Sequence, residues 1–163
     1  MVGPPRLVIR PMQVSDLGFI QRGLVETNWQ DIPEDQKRVL ERSKCDEKVL
    51  QDFERWRKFR RFKFRVFVAV GNGGEPVGYV SVAELTNPTV GLPMGGVLDL
   101  YVEPSSRRRG IGGKLLDYAI QFVRKEGYSH ASLLVSSSNK AGMGLYESRK
   151  FHPDRIWLTR RLR

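Results

Sequence analysis

Cysteine and histidine are nearly missing from this chain. Among its 163 residues stand one cysteine, Cys45, and two histidines, His130 and His152. One thiol excludes an intrachain disulfide and any cysteine-based metal cluster, two imidazoles are too few to imply a zinc site, and no metal is expected. Acids are scarce as well: 18 Asp and Glu face 28 Lys and Arg, a net charge of +10, so acidic partners have to be weighed. No apolar run approaches the length that spans a bilayer, and the opening MVGPPRLVIR lacks the apolar segment of a signal peptide, so the expectation is cytoplasmic residence without a membrane. Repeats, low-complexity tracts and long linkers are absent too. With 40% hydrophobic residues, a chain of this length buries one full core, and residues 1–163 read as a single domain.

What the chain does have is concentrated in residues 97–116, VLDLYVEPSSRRRGIGGKLL. Val97, Leu98, Leu100 and Val102 read as a buried strand stopped by Pro104, and Ile111, Leu115, Ala119 and Phe122 recur at helical spacing up to Gly127. The turn between them falls at a helix N-terminus. Free N–H groups and the positive end of the helix dipole favour an anion there, and Gly110, Gly112 and Gly113 put no side chain in its way. Arg107, Arg108, Arg109 and Lys114 add charge around the same point. Neither a Walker A loop nor a dinucleotide fingerprint fits, since position 115 is Leu where the latter needs its third glycine.

Arg107, Gly110 and Gly112 stand instead at R-x-x-G-x-G spacing after Leu100, Tyr101 and Val102, which resembles the acetyl-CoA pyrophosphate loop of the GNAT superfamily of N-acetyltransferases. Asn139 to Phe151, NKAGMGLYESRKF, resembles the second signature of that family, an Asn entering a helix with Leu-Tyr-Glu and closing on Gly-Phe. Between the two motifs lies an apolar run from Ala131 to Val135, read as a strand. The resemblance implies an α+β fold with a mixed, mostly antiparallel central sheet flanked by helices. The rest of the chain is read to match: a strand over Leu7 to Arg10, a helix capped by Ser15 or Asp16, a helical region from about Pro33 to Phe59 with a break near Ser43, a hairpin of Arg65 to Val70 and Pro76 to Leu85 around Gly71, Asn72, Gly73 and Gly74, and a closing strand over Ile156 to Leu162.

The resemblance further implies acetyl-CoA as cosubstrate and direct attack by an acceptor amine in a ternary complex. Cofactor contacts would come from Leu100, Tyr101, Val102, Arg107 through Lys114 (Ile111 included), Asn139 and Tyr146, with Leu100 and Val102 acting through their main chain. Tyr146, protonated at neutral pH, matches the residue that protonates the departing thiolate. The general base is less defined: the positions where relatives carry it correspond to Gly96 and Leu134. Asp99, Glu84 and Glu26 are the remaining carboxylates, acting directly or through water; a bulge in the motif strand would re-aim Asp99. Lys150 also departs from the pattern, standing where relatives have Gly.

Glu26, Trp29, Asp31, Glu34 and Asp35 on the early helices suit a cationic acceptor. A protein N-terminus or lysine is the first expectation, and a polyamine, amino acid or antibiotic the next. A catalytically silent CoA-binding regulator and a nucleic-acid module remain as other classes, in a monomer or homodimer. The run RWRKFRRFKFR from Arg55 to Arg65 has the composition of a single-stranded nucleic-acid site, but Phe53, Trp56 and Phe59 also continue a helix's apolar face. Packing is the preferred reading of the two.

Overall fold

A computed structural model describes residues 7–58, 63–160 and 162 of the chain. Five strands form one sheet in the order β1 (Val8–Pro11), β2 (Arg65–Val70), β3 (Pro76–Thr86), β4 (Pro93–Val102) and β5 (Ala131–Leu133). The first three pairings are antiparallel and β4 pairs with β5 in parallel. The glycine-rich turn expected at residues 71–74 does join β2 to β3. Helices α1 (Leu17–Asp31), α2 (Glu34–Lys37) and α3 (Arg42–Lys58) precede the hairpin, α4 (Ile111–Lys125) makes the crossover from β4 to β5, and α5 (Lys140–Ser148) follows.

Alternation along the strands splits the core into two layers. Phe67, Ala69, Val80, Val82 and Val97 pack with Leu115, Leu116, Ala119 and Val123 of α4. On the opposite face Val66, Val68, Tyr79 and Tyr101 meet Phe19, Ile20 and Leu24 of α1 and Phe53 of α3. Gly23 lets α1 settle on the sheet: a Cβ there would lie 2.6 Å from the Tyr79 ring and 2.8 Å from that of Tyr101.

The helical region breaks at residues 38–41, close to Ser43 as expected, with Ser43 itself inside α3 and donating to Glu41. Two expectations are corrected. Asp16 does not cap α1 with its side chain; it is buried, takes two hydrogen bonds from the Arg10 guanidinium at 2.6 and 3.0 Å, and accepts from the Gln13 N–H. No strand forms over the described part of Ile156 to Leu162. Ile156, Trp157 and Leu158 are exposed, and just before them Arg155 donates to Asn87 of the β3–β4 loop at 3.3 Å. Arg161 lies outside the described residues.

The start of the basic-aromatic run packs as expected. Phe53 and Trp56 sit against Phe64 with ring centroids 5.9 and 6.1 Å apart, and Arg57 pairs with Glu54 at 2.7 Å. Phe59, Arg60, Arg61 and Phe62 lie outside the described residues. Among those described, no helix is long and apolar enough to cross a membrane.

Candidate active site

The sheet opens beside β4. Its ladder with β5 covers only Gly95, Gly96 and Val97, ending at the Val97–Leu133 pair. Glu103 N–H bonds Val77 of β3, so by alternation the main-chain groups of Leu100 and Val102 face the other way, onto an edge with no neighbouring strand among the described residues. One of them is engaged: Arg107 Nε donates to the Val102 carbonyl at 2.9 Å. Tyr101 points elsewhere. Its ring is buried between Phe19 and Tyr79, and its hydroxyl donates to Glu103 at 3.2 Å, so its side chain belongs to the α1-side core and is not brought to the open edge.

The basic turn leads into α4 through two left-handed residues, Arg108 at φ 61° and Gly110 at φ 76°. Gly110 is the N-cap and has no side chain with which to satisfy the first N–H groups, which leaves them for an anion. Gly112 lies across from the open edge. A Cβ at that position would be 3.7 Å from both Leu100 and Val102 and 3.5 Å from Leu145 of α5. Gly113 makes room for a side chain instead, because the Arg149 guanidinium passes where its Cβ would stand, held by Asp117 at 3.1 and 3.2 Å. Arg108, Arg109 and Lys114 are exposed around the turn.

Helix α5 carries the second motif. Asn139 is its N-cap, accepting from Gly142 N–H at 2.9 Å, and its Nδ2 donates to Asp31 at 3.3 Å. At the other end Lys150 adopts φ 65° in place of the family's Gly. The bonds Phe151 N–H to Tyr146 C=O at 3.1 Å and Lys150 N–H to Glu147 C=O at 2.9 Å make a Schellman motif, and its usual hydrophobic contact is the edge-on pair Tyr146–Phe151. The helix end therefore sets the Tyr146 ring. Burial pushes that phenol above its ordinary pKa, and the charges of Asp31 and then Asp99 push it further, so it is protonated at neutral pH.

Asp99 owes its direction to a bulge. Ser81 pairs with Asp99 but Val82 with Val97, so Leu98 is the extra residue and Asp99 turns to the face opposite Val97. There Ser81 Oγ accepts from Asp99 N–H at 3.1 Å and donates to the carboxylate at 3.4 Å, and Asn28 of α1 donates to it at 3.4 Å. Burial outweighs these bonds, and with the nearby Asp31 it raises the Asp99 pKa to about 6. Asp31 is itself raised by burial, against the opposing bond from Asn139.

The other carboxylates are not brought here. Glu84 lies on the α4 face, bonded to the Tyr128 hydroxyl and 3.5 Å from Lys63, beside a cavity of about 10 Å³ that holds at most one water. Glu26 is tied to Arg42 at 3.0 Å, whose hydrogen bond holds it below the ordinary carboxylate range. At Gly96 a side chain would collide with Leu85, and Leu134 is 94% exposed just beyond β5. Asn28 and Ser81, the two side chains that donate to Asp99, were missed by the sequence reading. Ser81 has a signal, a polar residue set in the apolar run from Tyr79 to Ala83; Asn28, within the polar stretch Glu26 to Asp31, has none.

Comparison with known proteins bears on this arrangement. A family model described as acetyltransferase (GNAT) family matches residues 27–151. Streptothricin acetyltransferase of Streptomyces lavendulae is 32% identical over 88 residues, 53% of this chain and 44% of that protein. N-acetyltransferase 8 of Homo sapiens is 32% identical over 75 residues, 46% of this chain and 33% of that protein. The match thus spans less than half of each of these relatives. Among solved structures, aminoglycoside N-acetyltransferase AAC(6')-Iy in complex with CoA superposes with a TM-score of 0.72 over 99% of both chains at 18% identity, a likeness of fold.

Proposed function

Since this chain belongs to the GNAT acetyltransferase family, we propose that it transfers the acetyl group of acetyl-CoA to a primary amine of a cationic acceptor, with Asp99 as general base and Tyr146 as general acid. One arrangement carries the reading: β4 loses its neighbour beyond Val97, and α5, the helix of Tyr146, brings Leu145 against the Gly112 position that faces Leu100 and Val102 on that open edge, with the Tyr146 phenol kept protonated by burial and by the charges of Asp31 and Asp99.

The chain's own groups suit each need of the reaction. Leu100 and Val102 offer main-chain donors and acceptors to the pantetheine arm, as an added strand would take them. The first N–H groups of α4, with Arg108, Arg109 and Lys114 around them, suit the pyrophosphate. An ammonium has to lose a proton before its nitrogen attacks the thioester carbonyl. A carboxylate with pKa about 6 is ionised at neutral pH yet is a stronger base than an ordinary Asp. Asp99 takes that proton directly or through one water, the neutral amine adds to the carbonyl, the adduct collapses with cleavage of the C–S bond, Tyr146 gives its proton to the departing thiolate, and the second amine proton, shed as the amide forms, restores the phenol.

Incubating acetyl-CoA with a panel of peptides bearing free α-amines or lysines, and with small amines, while following thiol release, tests the reading. Transfer to at least one amine that is lost in Asp99→Asn and Tyr146→Phe upholds it. Wild-type rates in both folded variants refute the assigned roles. A protein amine is the acceptor we place first; the streptothricin relative, acting by its name on an antibiotic, is the specific reason to keep small amines in the panel.

A further inference from the structure

Asp31 is the last residue of α1. A carboxylate there faces the negative end of the helix dipole, is partly desolvated, and lies within the field of a second acid, Asp99. Each of these is unfavourable, and among the described residues no Lys or Arg lies within ion-pair distance of Asp31 or Asp99 to relieve them, whereas the buried Asp16 and the partly buried Glu26, Glu84 and Asp117 each have one. In a chain with ten more cations than acids, two neighbouring unpaired carboxylates mark a place kept for a cation from outside. A second group points the same way. Tyr79 is fully buried on the same face of the sheet, its hydroxyl has no hydrogen-bond partner, and Asp99 is the foremost charge acting on it. A buried phenol without a hydrogen-bond partner, in the field of a carboxylate that has no counter-ion among the described residues, leaves the polar side of this site unsatisfied.

The two acids are also spaced. Asn28, which donates to Asp99 at 3.4 Å, precedes Asp31 by three residues, one helical turn, so α1 carries one acid and the donor to the other on neighbouring positions about 5–6 Å apart at Cβ. A short alkyl chain between two amines bridges positions on that scale. Asn139 keeps Asp31 in place from the α5 side while its own Oδ1 is committed to Gly142 N–H, which fixes which way its amide faces.

We infer that Asp31 is a specificity-determining residue that binds a second cationic group of the acceptor, so that the site selects a dication whose two amines are separated by a short aliphatic span. The reacting amine goes to Asp99 and the remote ammonium to Asp31. This deepens, and rests on, the acetyl-transfer reading above. It also gives the residual cost of Asp31 a use, since the remote charge is bound in ground and transition states alike and lowers KM more than it raises kcat.

The test compares 1,4-diaminobutane with butylamine, by initial rates with acetyl-CoA and by calorimetric binding to the CoA-loaded protein. In wild type the diamine should be favoured at least tenfold in kcat/KM and in affinity. Asp31→Asn, which retains an acceptor for Asn139, should bring the ratio to within twofold, chiefly through KM, and Asp31→Glu should retain most of the preference. Equal handling of the two amines by wild type, or a preference intact in folded Asp31→Asn, overturns the inference. Asp31-dependent binding of the diamine without acetylation of any amine upholds this inference and overturns the enzymatic reading instead. No binding of the diamine at all overturns this one.

Discussion

A side chain's ionisation is where this protein's chemistry is most exposed to test. Asp99 titrates near pH 6, so the rate with an amine acceptor should fall on an acidic limb centred there, and Asp99→Asn should flatten that limb while lowering kcat/KM by 10²-fold or more. The same shift has a cost in stability, and its sign is definite. A carboxyl whose folded pKa is raised binds its proton more tightly in the native state, so the fold loses stability as pH rises from about 4 to about 6, by about 3 kcal/mol for the full shift. Asp99→Asn should accordingly melt higher than wild type at pH 7.5, with the gain gone at pH 3.5; a lower melting temperature at pH 7.5 would contradict the assigned burial. Tyr146→Phe keeps the contact with Phe151 and removes only the phenol. It should cut kcat by roughly 10²-fold and leave acetyl-CoA affinity unchanged by calorimetry. Gly112→Asp has space for its Cβ but puts a carboxylate at the open edge of β4, and should weaken acetyl-CoA binding at least tenfold in a folded protein.

At the scale of elements, the ends of helices do more than their middles. The family's Gly-Phe ending becomes Lys150–Phe151 here, and the chain still completes a Schellman motif by forcing Lys150 to φ 65°. Lys150→Gly should relieve that strain and stabilise by about 0.5–1 kcal/mol, a rise of about 1–4 °C in Tm for a domain of this size, with Tyr146 unmoved and kcat preserved. Elements also show where sequence reasoning reaches and where it stops. β2 and β3 were legible because they flank a glycine-rich turn, α4 because a period-3.6 apolar pattern runs from the glycines of the basic turn to Gly127, and α5 through its resemblance to the family's second motif. The bulge at Leu98 was legible only as an option, because it depends on how β4 lines up with β3 and no local residue announces it. Glu84 and Asp99, indistinguishable as acids near strand ends, separate once register puts them on opposite faces. The closing strand over Ile156 to Leu162 failed for a related reason: alternation qualifies a segment as a strand but does not supply the partner, and Ile156, Trp157 and Leu158 stay exposed here.

Over the whole molecule, charge is divided by location. The excess of ten cations favours a polyanion such as acetyl-CoA and disfavours the cationic acceptor we propose, so in that reading Asp31 and Asp99 invert the field locally at the acceptor's side. Acetyl-CoA affinity should then weaken severalfold between 50 and 500 mM salt as the long-range attraction is screened; salt-independent affinity would deny the basic turn its part. Finally, the ladder that stops at Val97 and Leu133 makes the sheet an unfinished object. Whatever lies along Leu100 and Val102 does not simply occupy a cleft but offers partners to main-chain groups of which only the Val102 carbonyl is met, by Arg107. Docking the cosubstrate is then a last step of folding for this edge. Amide hydrogen exchange should record it as slowed exchange at Leu100 and Val102 on adding CoA, with Tyr101 between them already slow because its N–H faces β3.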